Sequence, residues 1–136
     1  MRLGKLGGLV KVPNICPYCG HVVVLTSNSE LYGREYGNGK CYLCRNCKAS
    51  VGTHPGGNKP LGILATKEMK VLKKCCHDLF DPIWKARKIN RGKLYSILAA
   101  KLDIDVKDCH FGYFETDRLL QSIRLMSNPN WWKDGD

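Results

Sequence analysis

Two cysteine pairs, Cys16-Pro17-Tyr18-Cys19 and Cys44-Arg45-Asn46-Cys47, are the residues best able to do chemistry in this chain. Each is a Cys-x-x-Cys, and 24 residues separate them. Two such knuckles can present four thiolates to one ion. Zn²⁺ held by four sulfurs is a closed tetrahedral site with no open position for a substrate. The spacing therefore predicts one structural zinc, held by Cys16, Cys19, Cys44 and Cys47. A disulfide framework needs an oxidising compartment. The opening residues Met1 to Gly8 are basic and glycine-broken and lack a signal-peptide core. The longest aliphatic run, Val22 to Leu25, is too short to span a bilayer. A cytoplasmic protein without membrane attachment is expected.

Cys41 makes a second possible pairing with Cys44. It sits two residues before Leu43, in what reads as the strand feeding the turn, so Cys44 with Cys47 is preferred. Cys75, Cys76 and Cys109 lie near His77 and His110. Neighbouring helical residues point about 100° apart, so Cys75, Cys76 and His77 cannot all face one ion. Buried free cysteine, which behaves as a small hydrophobe, is the expected state there.

The elements that must position these residues follow from the punctuation. Residues 1–13 read as a flexible arm or a short leading strand, and 14–53 as the zinc ribbon. Val22 to Thr26 is a strand, Leu31-Tyr32 a short second one, and Lys40 to Leu43 the third. Residues 54–65 form a Gly/Pro-rich linker loop. From residue 66 the period becomes helical. Thr66 caps a helix through about Phe80, with Met69, Leu72, Cys76 and Phe80 on one side and Lys67, Lys70 and Lys74 on another. Asp81-Pro82 restarts the chain with a cap residue and an N1 proline. Asn90 caps a helix to about Leu102, with Leu94, Ile97, Leu98 and Leu102 inward. Thr116 opens a last helix carrying Leu119, Leu120, Ile123 and Met126, and Asn128-Pro129 stops it. Residues 66–126 are thus a helical domain and 127–136 a polar tail with a tryptophan pair. The expected architecture is α+β: a four-cysteine zinc ribbon of short antiparallel strands packed on about three helices.

Charge points to a partner. The 136 residues carry 22 Lys+Arg against 12 Asp+Glu, a net +10. Residues 1–93 hold 17 basic and 5 acidic side chains, whereas 94–136 hold 5 and 7. This asymmetry favours a polyanion, most simply DNA or RNA. The densest cationic run, Lys85 to Lys93, contains Lys85, Arg87, Lys88, Arg91 and Lys93 and no acid. With Lys67, Lys70, Lys73 and Lys74 it could track a phosphate backbone. Arg45 and Lys48 stand on the distal knuckle, and Tyr18, Tyr32 and Tyr42 could stack on unpaired bases.

Certain runs also resemble a known family. Cys44-Arg-Asn-Cys47-Lys-Ala-Ser-Val-Gly-Thr-His54-Pro, Pro60-Leu-Gly-Ile-Leu-Ala65 and His77-x-x-Phe80-Asp81-Pro-x-Trp84 are similar to a zinc-finger-containing domain family of bacteriophages and bacteria. Arg91-x-x-x-Tyr95-x-x-Leu98-Ala99 and Cys109-His110-Phe-Gly match its later motifs. The resemblance spans about residues 14–126; Ile63 and Thr66 stand where the family pattern favours Thr and Asp. It implies the architecture and a phage setting. The family has no assigned activity, so it implies no reaction.

Two other functions compete with nucleic-acid binding. Trp131-Trp132 in a polar tail would suit an anchor onto a host or phage protein. His54, His77, Asp81 and His110 could form a metal-dependent nuclease site if the fold brought them together. His77 and Asp81, at i and i+4, would then compete with a simple local hydrogen bond.

Overall fold

The computed structural model describes residues 5–6, 9–10, 12–34 and 39–133. Two compact units divide the chain, Met1–Glu68 and Met69–Asp136. In the first, β1 (Lys5–Leu6) pairs antiparallel with β2 (Leu9–Val10). The remainder of the expected arm up to residue 11 lies outside the described residues, as do residues 35–38 of the Gly33–Gly39 loop and residues 134–136 of the tail.

The ribbon sheet is built from β3 (Val23–Ser27), β4 (Lys40–Cys44) and β5 (Ser50–Gly52), in that order and antiparallel throughout. Val23 lies opposite Cys44, Thr26 opposite Cys41, and Tyr42 opposite Val51. Three strands were expected, but the third is Ser50–Gly52 and not Leu31-Tyr32. The latter pair ends a short helix, α1 (Asn28–Tyr32). Ser27 Oγ accepts the Ser29 N–H at 3.1 Å, and Gly33, at φ 77°, closes the turn. Ser27-Asn-Ser-Glu30 has the Ser-x-x-Glu form of a helix start, which overrides the β propensity of Tyr32. The side chains of Cys16, Val23, Tyr42, Cys44, Ala49, Val51 and Leu64 form the core of this unit. Tyr42 is buried with its hydroxyl donating to Asn58 O at 2.6 Å, so it offers no stacking face; Tyr18 and Tyr32 remain exposed.

Three long helices follow, α2 (Lys67–Lys85), which belongs to the second unit from Met69 onward, α3 (Arg91–Leu102) and α4 (Thr116–Met126). The expected break at Asp81-Pro82 does not occur, because α2 runs straight through Pro82. Proline removes one N–H from the ladder, and the turn after it continues with Ala86 N–H bonding Pro82 O at 3.0 Å. Asp81 is therefore a mid-helix residue and not a cap. Asn90 does cap α3, accepting the N–H groups of Gly92 and Lys93 at 2.8 and 3.2 Å. Along α3, Leu94, Leu98 and Leu102 are buried as the period requires, and so are Tyr95 and Ala99, while Ile97 is half-buried. On α4, Leu119 and Met126 are buried whereas Leu120 is exposed, at the edge of the apolar stripe.

An aromatic core joins these elements. The Phe80 ring lies 4.3 Å from Tyr95, 5.4 Å from Phe111 and 6.1 Å from Trp131, centroid to centroid. Trp131 is thus a buried core residue of the second unit, and the expected polar tail is apolar at that point. Truncating the fully buried Phe80 removes the ring that meets all three of these others. Phe80→Ala should cost about 3–5 kcal/mol in urea unfolding. A loss below about 1 kcal/mol would contradict this core.

Candidate metal centre and cationic surface

The two knuckles are built alike. Cys16 N–H bonds His21 O at 2.8 Å and Gly20 N–H bonds Cys16 O at 2.9 Å; Cys44 N–H to Ala49 O and Lys48 N–H to Cys44 O repeat the pattern at 2.9 and 2.8 Å. Each turn needs a left-handed residue after its second cysteine. Gly20 supplies it at φ 82° and Lys48 at φ 68°, a conformation that costs a side-chain-bearing residue roughly 1 kcal/mol. The β3–β4 pairing places Val23 beside Cys44, which brings the knuckles together.

The result is one compact group of sulfurs. All four Sγ atoms of Cys16, Cys19, Cys44 and Cys47 lie within 4.8 Å of one another. Two close approaches run between knuckles, Cys16 to Cys47 at 3.5 Å and Cys19 to Cys44 at 3.4 Å. Four ligands at zinc–sulfur bond length define a tetrahedron with edges of about 3.8 Å, so the arrangement fits such an ion. These separations are far beyond a disulfide bond of about 2.05 Å. Cys41 takes no part; it is buried within β4, opposite Thr26 and Gly52.

Local dipoles act on these sulfurs unequally. The Asn46 side chain, then the His21 backbone N–H, pull the Cys19 thiol down to about 5. Burial pushes Cys16 up, against the N–H groups of Tyr18 and Cys19. Desolvation likewise holds Cys47 at about 12, with the neighbouring sulfurs adding to the rise. Left to themselves, the sulfurs resist joint ionisation; a cation among them would reverse that balance. Among the described residues no other set of three or more His, Cys, Asp or Glu side chains could hold a metal.

The expected cationic residues separate into two kinds. Arg45 is committed inside the first unit: its Nε and Nη2 donate to Glu30 at 2.6 and 3.0 Å, and this fork holds the Glu30 carboxyl down at about 2. Lys74 pairs with Asp78 at 3.0 Å. Lys73 is half-buried on α2, where desolvation lowers its pKa. Lys48 adds its charge to the field that holds Glu30 ionised, and Lys67 is exposed at the start of α2. Among the described residues, Lys85, Arg87, Lys88, Arg91 and Lys93 have no ion-pair partner, and all five are exposed.

Arg91 is nevertheless well anchored. Its guanidinium carbon lies 5.4 Å from the Trp84 ring centroid and 5.2 Å from that of Tyr95. Burial pushes the Tyr95 phenol up, and the charge and hydrogen bond of Arg91 oppose that rise. The indole Nε1 of Trp84 donates to Asp81 Oδ1 at 3.0 Å, while Asp81 Oδ2 meets His77 Nδ1 at 3.2 Å. His110 packs on Tyr113 and Tyr95, with centroids 4.7 and 5.8 Å apart. His77 and Asp81 thus form the local bond their spacing suggested, and with His110 they do not assemble into a three-ligand metal set. His54 belongs to the first unit, where its backbone N–H bonds Lys59 O at 2.8 Å within the linker loop. Sequence reasoning missed the Trp84–Arg91 contact, although Trp84 and Arg91 stand in neighbouring motifs.

A family model described as a zinc-finger-containing domain matches residues 12–129. No curated protein and no solved structure matches the chain. Cys47→Ser should abolish zinc uptake measured by metal analysis, whereas Cys41→Ser should retain it and lose about 1–3 kcal/mol from a hydroxyl buried in β4. Full zinc content in Cys47→Ser would transfer the ligand role to Cys41.

Proposed function

The chain belongs to the zinc-finger-containing domain family, and from that premise we propose a nucleic-acid-binding protein stabilised by one structural zinc on Cys16, Cys19, Cys44 and Cys47. In this reading it works in the phage setting that its sequence resemblance implies, in the host cytoplasm. The zinc supplies a fixed cross-link between the knuckles, and four thiolates leave it no position for substrate chemistry. Binding belongs to the cationic segment Lys85–Lys93.

One observation carries the reading. The five cations of that segment have no carboxylate partner among the described residues, while Arg45 and Lys74 are held in ion pairs with Glu30 and Asp78. Cations without an intramolecular partner can neutralise phosphates, and the counterions condensed on the polyanion are then released, which is favourable. The protein-partner alternative is weakened by Trp131, whose ring is spent on Phe80 and is not available as an anchor. No helix among the described residues is long and apolar enough to cross a membrane.

Fluorescence anisotropy of the zinc-loaded protein with labelled single- and double-stranded DNA and RNA, across a salt series, tests this. A log K against log salt slope of about −3 to −5 is expected, as roughly four to six phosphates are neutralised. Lys88→Glu with Lys93→Glu should weaken binding at least tenfold, whereas Arg45→Ala should stay within about twofold because Glu30 already holds that guanidinium. Absence of binding to all four probes at low salt would refute the reading.

A further inference from the structure

We propose that the corner between α2 and α3 is a phosphate cradle, in which Arg91 and Lys85, gathered about the indole of Trp84, take one phosphate group. The proposal rests on the nucleic-acid reading for the source of that phosphate, although the site itself is argued from its own geometry.

Two cations share one ring. Arg91 Cζ and Lys85 Nζ lie 5.4 and 5.8 Å from the Trp84 centroid. The negative charge of an indole face attracts each of them, but it does not cancel two positive charges that both stand within about 6 Å of its centre. The carboxylate nearest in the chain, Asp81, forms no ion pair with either of them. One of its oxygens is taken by Trp84 Nε1 and the other by His77 Nδ1. Asp81 acts as a positioning residue: it fixes the plane of the ring on which the cations rest. An anion is the component that completes this arrangement.

The backbone at the corner has the same polarity. Arg91 is the first residue of α3, and no acidic side chain occupies that first turn. The positive end of the helix dipole is therefore not offset by a carboxylate of its own first turn. On the other side, α2 closes with Arg87 N–H on Trp84 O at 3.0 Å and Lys88 N–H on Ile83 O at 3.3 Å. This closure requires a left-handed residue, ordinarily glycine. Here it is Arg87 at φ 59°, so strain is accepted at the position that adds a further cation to the corner.

The chemistry of the two cations differs usefully. A guanidinium lying against aromatic rings keeps N–H groups along its edges, and these match two oxygens of a phosphate. Lys85 contributes a compact charge that tolerates different approach angles. A phosphate could reach this site as an internal phosphodiester or as a strand terminus, and the ligand chemistry is common to both.

The test follows the indole N–H signals of the zinc-loaded full chain by ¹H–¹⁵N NMR. The chain has three tryptophans, and Trp84→Phe identifies the signal of Trp84. The protein is titrated with inorganic phosphate and with one oligonucleotide in 5′-phosphorylated and 5′-hydroxyl forms. A saturable shift of the Trp84 signal is expected, with the buried Trp131 signal unmoved as the fold control. Arg91→Lys keeps the charge but lacks the fork, and should weaken oligonucleotide binding about tenfold and remove the shift. A larger response to the 5′-phosphorylated strand would support the cradle with a terminal phosphate as its source. Equal responses to both strands would support it with an internal phosphodiester. Oligonucleotide binding that leaves Trp84 unmoved, or an undiminished shift in Arg91→Lys, would overturn the cradle while leaving nucleic-acid binding intact. A Trp84 response to inorganic phosphate with no oligonucleotide binding would sustain the cradle and overturn the nucleic-acid reading.

Discussion

Four sulfurs gathered within 4.8 Å are the constraint on which the first unit depends. Their charge must either be met by a cation or be suppressed by protonation, and the local dipoles around Cys19 work against suppression. The rest of the unit is arranged around this group. Cys44 ends β4, Val23 starts β3 opposite it, and the two knuckles repeat one hydrogen-bond pattern on either side. Two of the sulfurs, on Cys16 and Cys44, also belong to the apolar core with Val23, Tyr42, Ala49, Val51 and Leu64. So small a core offers limited burial, which is the circumstance in which metal binding supplies folding free energy.

The second unit solves the same problem by different means. Its centre is a set of packed rings, Phe80, Tyr95, Phe111 and Trp131, contributed by α2, α3, the turn after α3 and the segment after α4. Aromatic side chains bury large areas per residue, so a unit of this size can be held by a few of them. The polar layer lies outward of this core. Tyr95 belongs to the core on one side and meets Arg91 on the other, and Asp81 ties His77 to Trp84. The cationic corner is thereby built on side chains whose positions the core already restricts, which is how a surface charge becomes a preorganised one.

The parts of this architecture that were legible in the sequence are those with local physical causes. The paired Cys-x-x-Cys spacing pointed to the four sulfurs, the place of Cys41 in a strand rather than the spacing set it aside, and Asn90 before an apolar stripe marked the start of α3. Three readings failed where two local rules competed. Tyr32 favoured a strand, but the Ser27-to-Glu30 start won and left the third strand to Ser50–Gly52. Asp81-Pro82 looked like a helix start, yet packing of Phe80 before it and Trp84 after it carries α2 through the missing hydrogen bond. Trp131 stood in a polar stretch, and only the tertiary fold brings it onto Phe80. Ion pairing was similarly hidden: nothing in the spacing of Arg45 and Glu30 announces that the two are joined, since α1 itself was not foreseen.

X-ray absorption at the zinc edge of the purified, metal-loaded protein addresses the central claim most directly. The account predicts one zinc per chain, with a single shell of four sulfurs at about 2.3 Å and no lighter ligand. A shell mixing sulfur with nitrogen or oxygen, or a protein that folds fully with four reactive thiols and no metal, would contradict it.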